Sequence, residues 1–175
     1  MSRQELMKKL IRAIDAISNW TGKTGHWLAT ILVMLVSLEV FMRYVFNHPT
    51  NWNYETSIMV GGALYALSWS YSHLIRGHTR VDVFYSHLSL RGKAVIDAMG
   101  SLICFFPLAI ILTKTAWAWA VTSWINHEKS AQTIWYPPLA PFRTIVAIGF
   151  TFLALQGVAH FVRDFYLMLK GKAYD

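Results

Sequence analysis

Glu39 and Arg43 place a carboxylate and a guanidinium inside an apolar run, WLATILVMLVSLEVFMRYVF, at residues 27–46. They lie one helical turn apart with the acid first, the order in which an i,i+4 pair forms best. A run of this length crosses a bilayer as one helix. A charge inside it costs at least a few kcal/mol unless it is paired, buried against protein or snorkelled to the headgroups. The Glu39–Arg43 stripe is therefore a poor surface for lipid and a good one for another helix. Arg43, close to the helix end, also has the reach to snorkel, which makes it a candidate lipid contact.

The elements that must position this pair follow from hydropathy. The chain has 175 residues, 55% of them hydrophobic, and a mean hydropathy of +0.36. The apolar excess gathers in long runs, which predicts an all-α integral membrane protein with a single four-helix domain, residues 1–175. The expected spans are 27–46, 57–74, 95–124 and 139–169. The last two exceed what ~30 Å of hydrocarbon needs at ~1.5 Å per residue, so they tilt or project. Lys114 and the tryptophans after it, Trp117, Trp119 and Trp124, mark the far interface and predict that the third helix ends beyond the membrane. Pro107 predicts a kink. The run-in reads as an uncleaved anchor without a signal peptide.

Lys and Arg are counted as five before the first span, four between the second and third and three at the C-terminal end. The positive-inside rule then puts both termini and the middle loop in the cytoplasm. Residues 47–56 and 126–138 face the opposite side. The net charge of +7 is spread over three segments without one aromatic-interleaved stripe, which argues against a nucleic-acid role. In residues 1–25, Leu6, Leu10, Ala13, Ile14 and Ile17 recur at helical spacing among Lys8, Lys9, Arg12 and Asp15. This predicts a basic amphipathic helix on the cytoplasmic surface, or an extension of the first span. A turn at residues 21–25 (TGKTG) would separate the surface helix from the span. Arg76 and Arg80, at the middle loop, are further candidate phospholipid contacts.

Little else suggests chemistry. The sole cysteine, Cys104, cannot form an internal disulfide and reads as a small buried hydrophobe. No Cys/His spacing makes a zinc site, no cofactor is expected and nothing marks an enzyme. No internal repeat is visible, which argues against a self-sufficient secondary transporter. The external segment 126–138 leads through Glu128, Ser130 and Trp135 into Pro137, Pro138 and Pro141, a semi-rigid aromatic-bearing connection suited to docking.

Several motifs together resemble a known family. Arg43-Tyr44-Val45-Phe46-Asn47 with Trp52 and Glu55 resembles the first hairpin of the DctQ-like small membrane subunit of tripartite ATP-independent periplasmic (TRAP) transporters. Gly77, His78, Val81 and Asp82 resemble its cytoplasmic-loop motif. Glu128 and Ser130, then Phe142-Arg143, Gly149 and Leu155-Gln156, resemble its last third. One departure is that Asn53-Tyr54 precede a single acid, Glu55, where many members carry two. The resemblance implies a bacterial inner-membrane, multi-pass scaffold in a sodium symporter importing an organic acid such as sialic acid or a C4-dicarboxylate. It implies two protein partners, a large membrane (M) subunit holding the substrate and sodium sites and a periplasmic substrate-binding (P) subunit. It further implies a large-subunit interface at Glu39, Arg43, Tyr44, Trp52, Glu55 and Gln156. A docking surface at Glu128, Ser130, Trp135, Pro138 and Arg143 follows in the same way. Two other functions use parts of the same sequence. His26, His73 and His160 lie at similar depth and would ligate a b-type haem, and Glu39 would serve as the carboxylate of a small proton-coupled exporter.

Overall fold

A computed structural model describes residues 3–75, 89–171 and 174. It contains α1 (Arg3–Tyr44), α2 (Asn53–Leu74), α3 (Leu90–Gly100), a π-helical segment (Ser101–Phe105), α4 (Phe106–Ile125) and α5 (Ala140–Lys170). Because α3, the π segment and α4 run on without a break, these form four long rods, with no strand among the described residues. Three stretches are long and apolar enough to cross a membrane: Glu5–Tyr44, Gly92–Ile125 and Ala140–Lys170. The remaining rod, α2, has 22 residues, enough for ~33 Å at ~1.5 Å per residue, but is more polar. Its place explains this: it lies between α1 and α5, and Asn53, Glu55 and Ser70 turn inward.

The helices follow the spatial order α1, α2, α5, α4, with α3 also on α5 and the first half of α1 touching α5. Among the described residues, the buried apolar ones are alanines apart from Ile11 and Tyr174. Small residues let helix backbones approach where lipid removes the hydrophobic drive for association. Backbones come close at Gly149 of α5, where a Cβ would lie 2.5 Å from the backbone oxygen of Ala66 on α2.

Two expectations are corrected. The turn at residues 21–25 is absent, and α1 runs unbroken for 42 residues. The glycines there serve packing instead: a Cβ on Gly22 would strike the Tyr71 ring at 2.4 Å, and one on Gly25 the Ser68 hydroxyl at 2.5 Å. The apolar residues of the N-terminal segment lie along one side of α1, an unbroken extension of the first span, with Ile14 at the edge that turns into the fold. Ile14 packs with Ile11, Ala159 and Tyr174, while Leu6, Leu10 and Ile17 stay exposed. Cys104 is exposed, not buried; it falls in the π segment, which has no buried residue.

The disturbance expected at Pro107 is that π segment. Proline at the second position of α4 has no N–H and crowds the carbonyl four residues back. The helix widens just before it, so that the Phe106 N–H reaches Ser101 O, five residues back. The Phe105 ring then lies against Gly157 and stacks on His73, centroid to centroid at 4.9 Å. At its C-terminal end α5 stops at Gly171, whose φ of 63° suits a left-handed C-terminal cap. Tyr174 returns to pack on Tyr166.

Candidate functional site

Polar side chains cluster at three places. The first lies between the N-terminal half of α1 and the C-terminal half of α5. Ser18 and Gln156 are fully buried, and the serine donates to Gln156 Oε1 at 2.7 Å. Gln156 Nε2 donates to Asp15 Oδ1 at 3.0 Å, and Arg163 holds both oxygens of the same carboxylate. One turn on, Thr21 meets Ser70 of α2 at 3.0 Å. Each polar group is thus answered by another, which an apolar environment demands. Gln156, placed by family resemblance at the large-subunit interface, lies inside the chain and touches its own helices. The sequence did not bring Asp15, Ser18, Thr21, Ser70 and Arg163 together as one network. Their signal was the small and polar face of α1 (Asp15, Ser18, Thr21, Gly22, Gly25), recurring every three or four residues beside the apolar one.

The second cluster is the Glu39–Arg43 pair, which forms at 2.9 Å. Thr50, in the turn after α1, adds its hydroxyl and, at 3.3 Å, its backbone N–H to the other Glu39 oxygen. Asn53, at the start of α2, donates to Leu35 O at 2.8 Å and so ties the hairpin shut. The Glu39 side chain is 17% exposed and that of Arg43 58%. Arg43, Tyr44 and Trp52 therefore present an open polar and aromatic corner on the hairpin. A carboxylate already held by Arg43 and Thr50 is poorly suited to shuttling protons for an exporter.

The third is the external hairpin. Glu128 pairs with Arg143, and both bind Ser123 Oγ, at 3.1 and 2.7 Å. Ser130 N–H donates to Pro137 O at 2.9 Å and Leu139 N–H to Glu128 O at 3.0 Å. These close a loop in which His127 and Tyr136 both adopt φ of 49°. Thr133 donates at 2.6 Å to Glu55 of α2, which lies ahead of the apolar part of that helix. Burial raises the Glu55 carboxyl, but the hydroxyls of Thr133 and Ser130 and the Thr133 backbone N–H outweigh it and hold it below its ordinary 4.5. A depressed carboxyl stabilises the fold at neutral pH, and the effect fades as pH falls below that ordinary value. Trp124 and Trp117, expected as an interfacial belt, donate their indole N–H groups to Thr144 at 2.9 Å and Thr151 at 3.0 Å of α5.

The expected docking residues thus divide. Glu128, Ser130 and Arg143 turn into the hairpin and hold its shape. Pro138 is exposed, and Trp135 stands with Ile134 and Tyr136 at a tip that is 46 to 73% exposed. Glu55, expected at the large-subunit interface, is 2% exposed and anchors this hairpin instead. Gly77, His78, Val81, Asp82, Arg76 and Arg80 lie outside the described residues. The histidines do not form a haem site: the His73 and His160 rings meet edge to face at 4.9 Å, leaving no gap for a porphyrin, and His26 Nδ1 pairs with Gly22 O at 2.9 Å.

No curated protein and no solved structure matches the chain. Residues 32–166 match the family described as tripartite ATP-independent periplasmic transporters, DctQ component. That match takes in α2, α3, α4, the external hairpin, the Glu39–Arg43 corner and nearly all of α5. The chain belongs to the DctQ family, the small membrane component of these transporters.

Proposed function

We propose that this chain is the static scaffold of a sodium-coupled TRAP importer of an organic acid, such as sialic acid or a C4-dicarboxylate. It braces the large membrane subunit and presents the external hairpin to the periplasmic substrate-binding protein. In this reading both termini and the middle loop lie on the cytoplasmic side of the bacterial inner membrane. Arg43, Arg76 and Arg80 contact phospholipid headgroups. The observation that carries the reading is the contrast between interior and surface. Inside, Gln156, Ser18, Asp15 and Arg163 satisfy one another. Outside, Arg43, paired with Glu39, remains open near the end of the otherwise uncharged run 27–46. A charged corner at such a place suits a helix interface with a partner subunit better than lipid.

The pair gives the test. Arg43→Ala leaves the Glu39 carboxylate without its ion partner, and Glu39→Ala strands the guanidinium. If the partner subunit buries the corner, either truncation costs about 3–5 kcal/mol of association. The expected result is loss of most of the large subunit from a tagged preparation, together with loss of uptake. Unchanged recovery and unchanged uptake in both variants would remove this corner from the interface. The hairpin tip separates from it: Trp135→Ala is expected to lower uptake while leaving the recovery of the large subunit intact.

A further inference from the structure

A trough runs between α4 and α5 at the end nearest the external hairpin. It exists because small side chains let the two helices close there. Ala116 and Ala120 of α4 form one buried cluster with Ala147 of α5, and Phe150 packs against it. Larger side chains rise on either side, Leu112, Thr115 and Trp119 from α4 and Phe142, Val146 and Phe150 from α5. They enclose about 390 Å³, within the ~300–1,000 Å³ of small-molecule sites. From Leu112 to Trp119 the trough follows about 10 Å of helix at ~1.5 Å per residue. Both helices belong to stretches apolar enough to cross a membrane, so the medium around these walls is hydrocarbon. An empty trough there would forfeit the contacts of its walls, and an acyl chain restores them.

The hairpin end of the trough is polar. Arg143 lines it, with its guanidinium 6.0 Å from the centre of the Trp119 ring. The bonds of this arginine to Ser123 and Glu128 both leave from Nη1. Among the described residues, Nε and Nη2 have no partner. A guanidinium carries five donors in a planar fork, which fits a phosphate with two parallel hydrogen bonds. Glu128 likewise receives both Arg143 and Ser123 on Oε2, which leaves Oε1 open. The two side chains are 29% and 30% exposed. An apolar trough thus ends in open donors on a cation and an open acceptor on an anion, side by side.

We infer that this trough is a phospholipid site in the leaflet at the hairpin end, selective for a headgroup that carries both a phosphate and a primary ammonium. One acyl chain lies along Thr115, Val146 and Phe150. The phosphate takes Nε and Nη2 of Arg143. The ammonium, with three donors of its own, reaches Glu128 Oε1. A quaternary ammonium has no N–H to give that oxygen. A headgroup of net negative charge sets like charge beside the Glu128 carboxylate. A protein helix would cover the walls, but it would answer the polar end only by bringing an anion and a cation to the same point. The site is separate from Arg43, Arg76 and Arg80. It needs only that the chain lies in a membrane and stands apart from the scaffold reading.

The test uses the protein as extracted from its own membrane, stripped of lipid in detergent. It is then titrated with dioleoyl phosphatidylethanolamine, phosphatidylcholine or phosphatidylglycerol, with lipid bound to this chain read by native mass spectrometry. Phosphatidylethanolamine should bind at least tenfold more tightly than the other two. Thr115→Trp fills the trough away from the hairpin and should weaken that binding at least tenfold. Ile110→Trp, on α4 outside the trough and 50% exposed, should leave it unchanged. Arg143→Lys keeps a counter-ion for Glu128 but gives up the fork, and should weaken binding at least fivefold. Equal affinity for the three lipids, or wild-type binding by Thr115→Trp or by Arg143→Lys, would overturn the proposal. A photo-reactive amino acid at Thr115 in the intact membrane should give lipid adducts. An adduct with another protein, or with a second copy of this chain, would overturn the proposal by naming a different occupant.

Discussion

Gly149→Ala is expected to destabilise the helix assembly by about 3 kcal/mol, the upper end of overpacking costs. The added Cβ would lie 2.5 Å from the backbone oxygen of Ala66, 2.7 Å from its carbonyl carbon and 2.9 Å from its Cβ. A clash with a flexible side chain is relieved by rotation, as at Gly62, whose neighbour is the tip of the Phe142 ring. At Gly149 the neighbour is backbone, so α2 and α5 must separate. Their separation would open the contact that joins the α1 side of the molecule to the α4 side. Gly100→Ala is the matching control. Nothing lies within 4 Å of its Cβ position, and the backbone there is ordinary helix. Alanine should gain up to about 1 kcal/mol from helix propensity alone. Thermal unfolding in mild detergent checks both. Equal effects at the two glycines would contradict the close approach of α2 and α5.

Arg163→Ala is expected to cost about 3 kcal/mol, because it leaves the Asp15 carboxylate with Gln156 alone from this network in a largely enclosed place. The two side chains are only 16% and 24% exposed. Asp15→Leu should cost a similar amount by removing the carboxylate that binds two nitrogens of the Arg163 guanidinium. The double variant Asp15→Leu/Arg163→Met should recover most of that loss, since an apolar pair of similar volume replaces an enclosed ion pair at little cost. Gln156 then lacks one acceptor, which sets a residual of about 1 kcal/mol. The same unfolding measurement applies. Additive losses in the double variant would show that the ion pair does not couple the first turns of α1 to α5.

What the sequence made legible was whatever depends on neighbours in the chain. The long apolar runs marked the helical rods, three of which are long and apolar enough to cross a membrane. The four-residue step from Glu39 to Arg43 gave the ion pair, and Pro107 gave a helix disturbance whose form, a π segment, was open. What stayed hidden depends on residues far apart. The glycines of residues 21–25 read as a turn because their packing partners, Tyr71 and Ser68, lie in another helix. Gln156 and Glu55 stood out as motif residues and were assigned to a surface. Their partners are Ser18, 138 positions away, and Thr133, 78 positions away, so their burial could not be read locally. Glu128 and Arg143 were both assigned to the external surface, where each is in fact the other's counter-ion.

The account centres on this chain as one subunit of a larger membrane complex. The most direct measurement is native mass spectrometry of the tagged protein extracted from its own host in mild detergent. A stoichiometric complex with a larger, many-span membrane protein is the expected result. A lone chain or a homo-oligomer in that spectrum would contradict it.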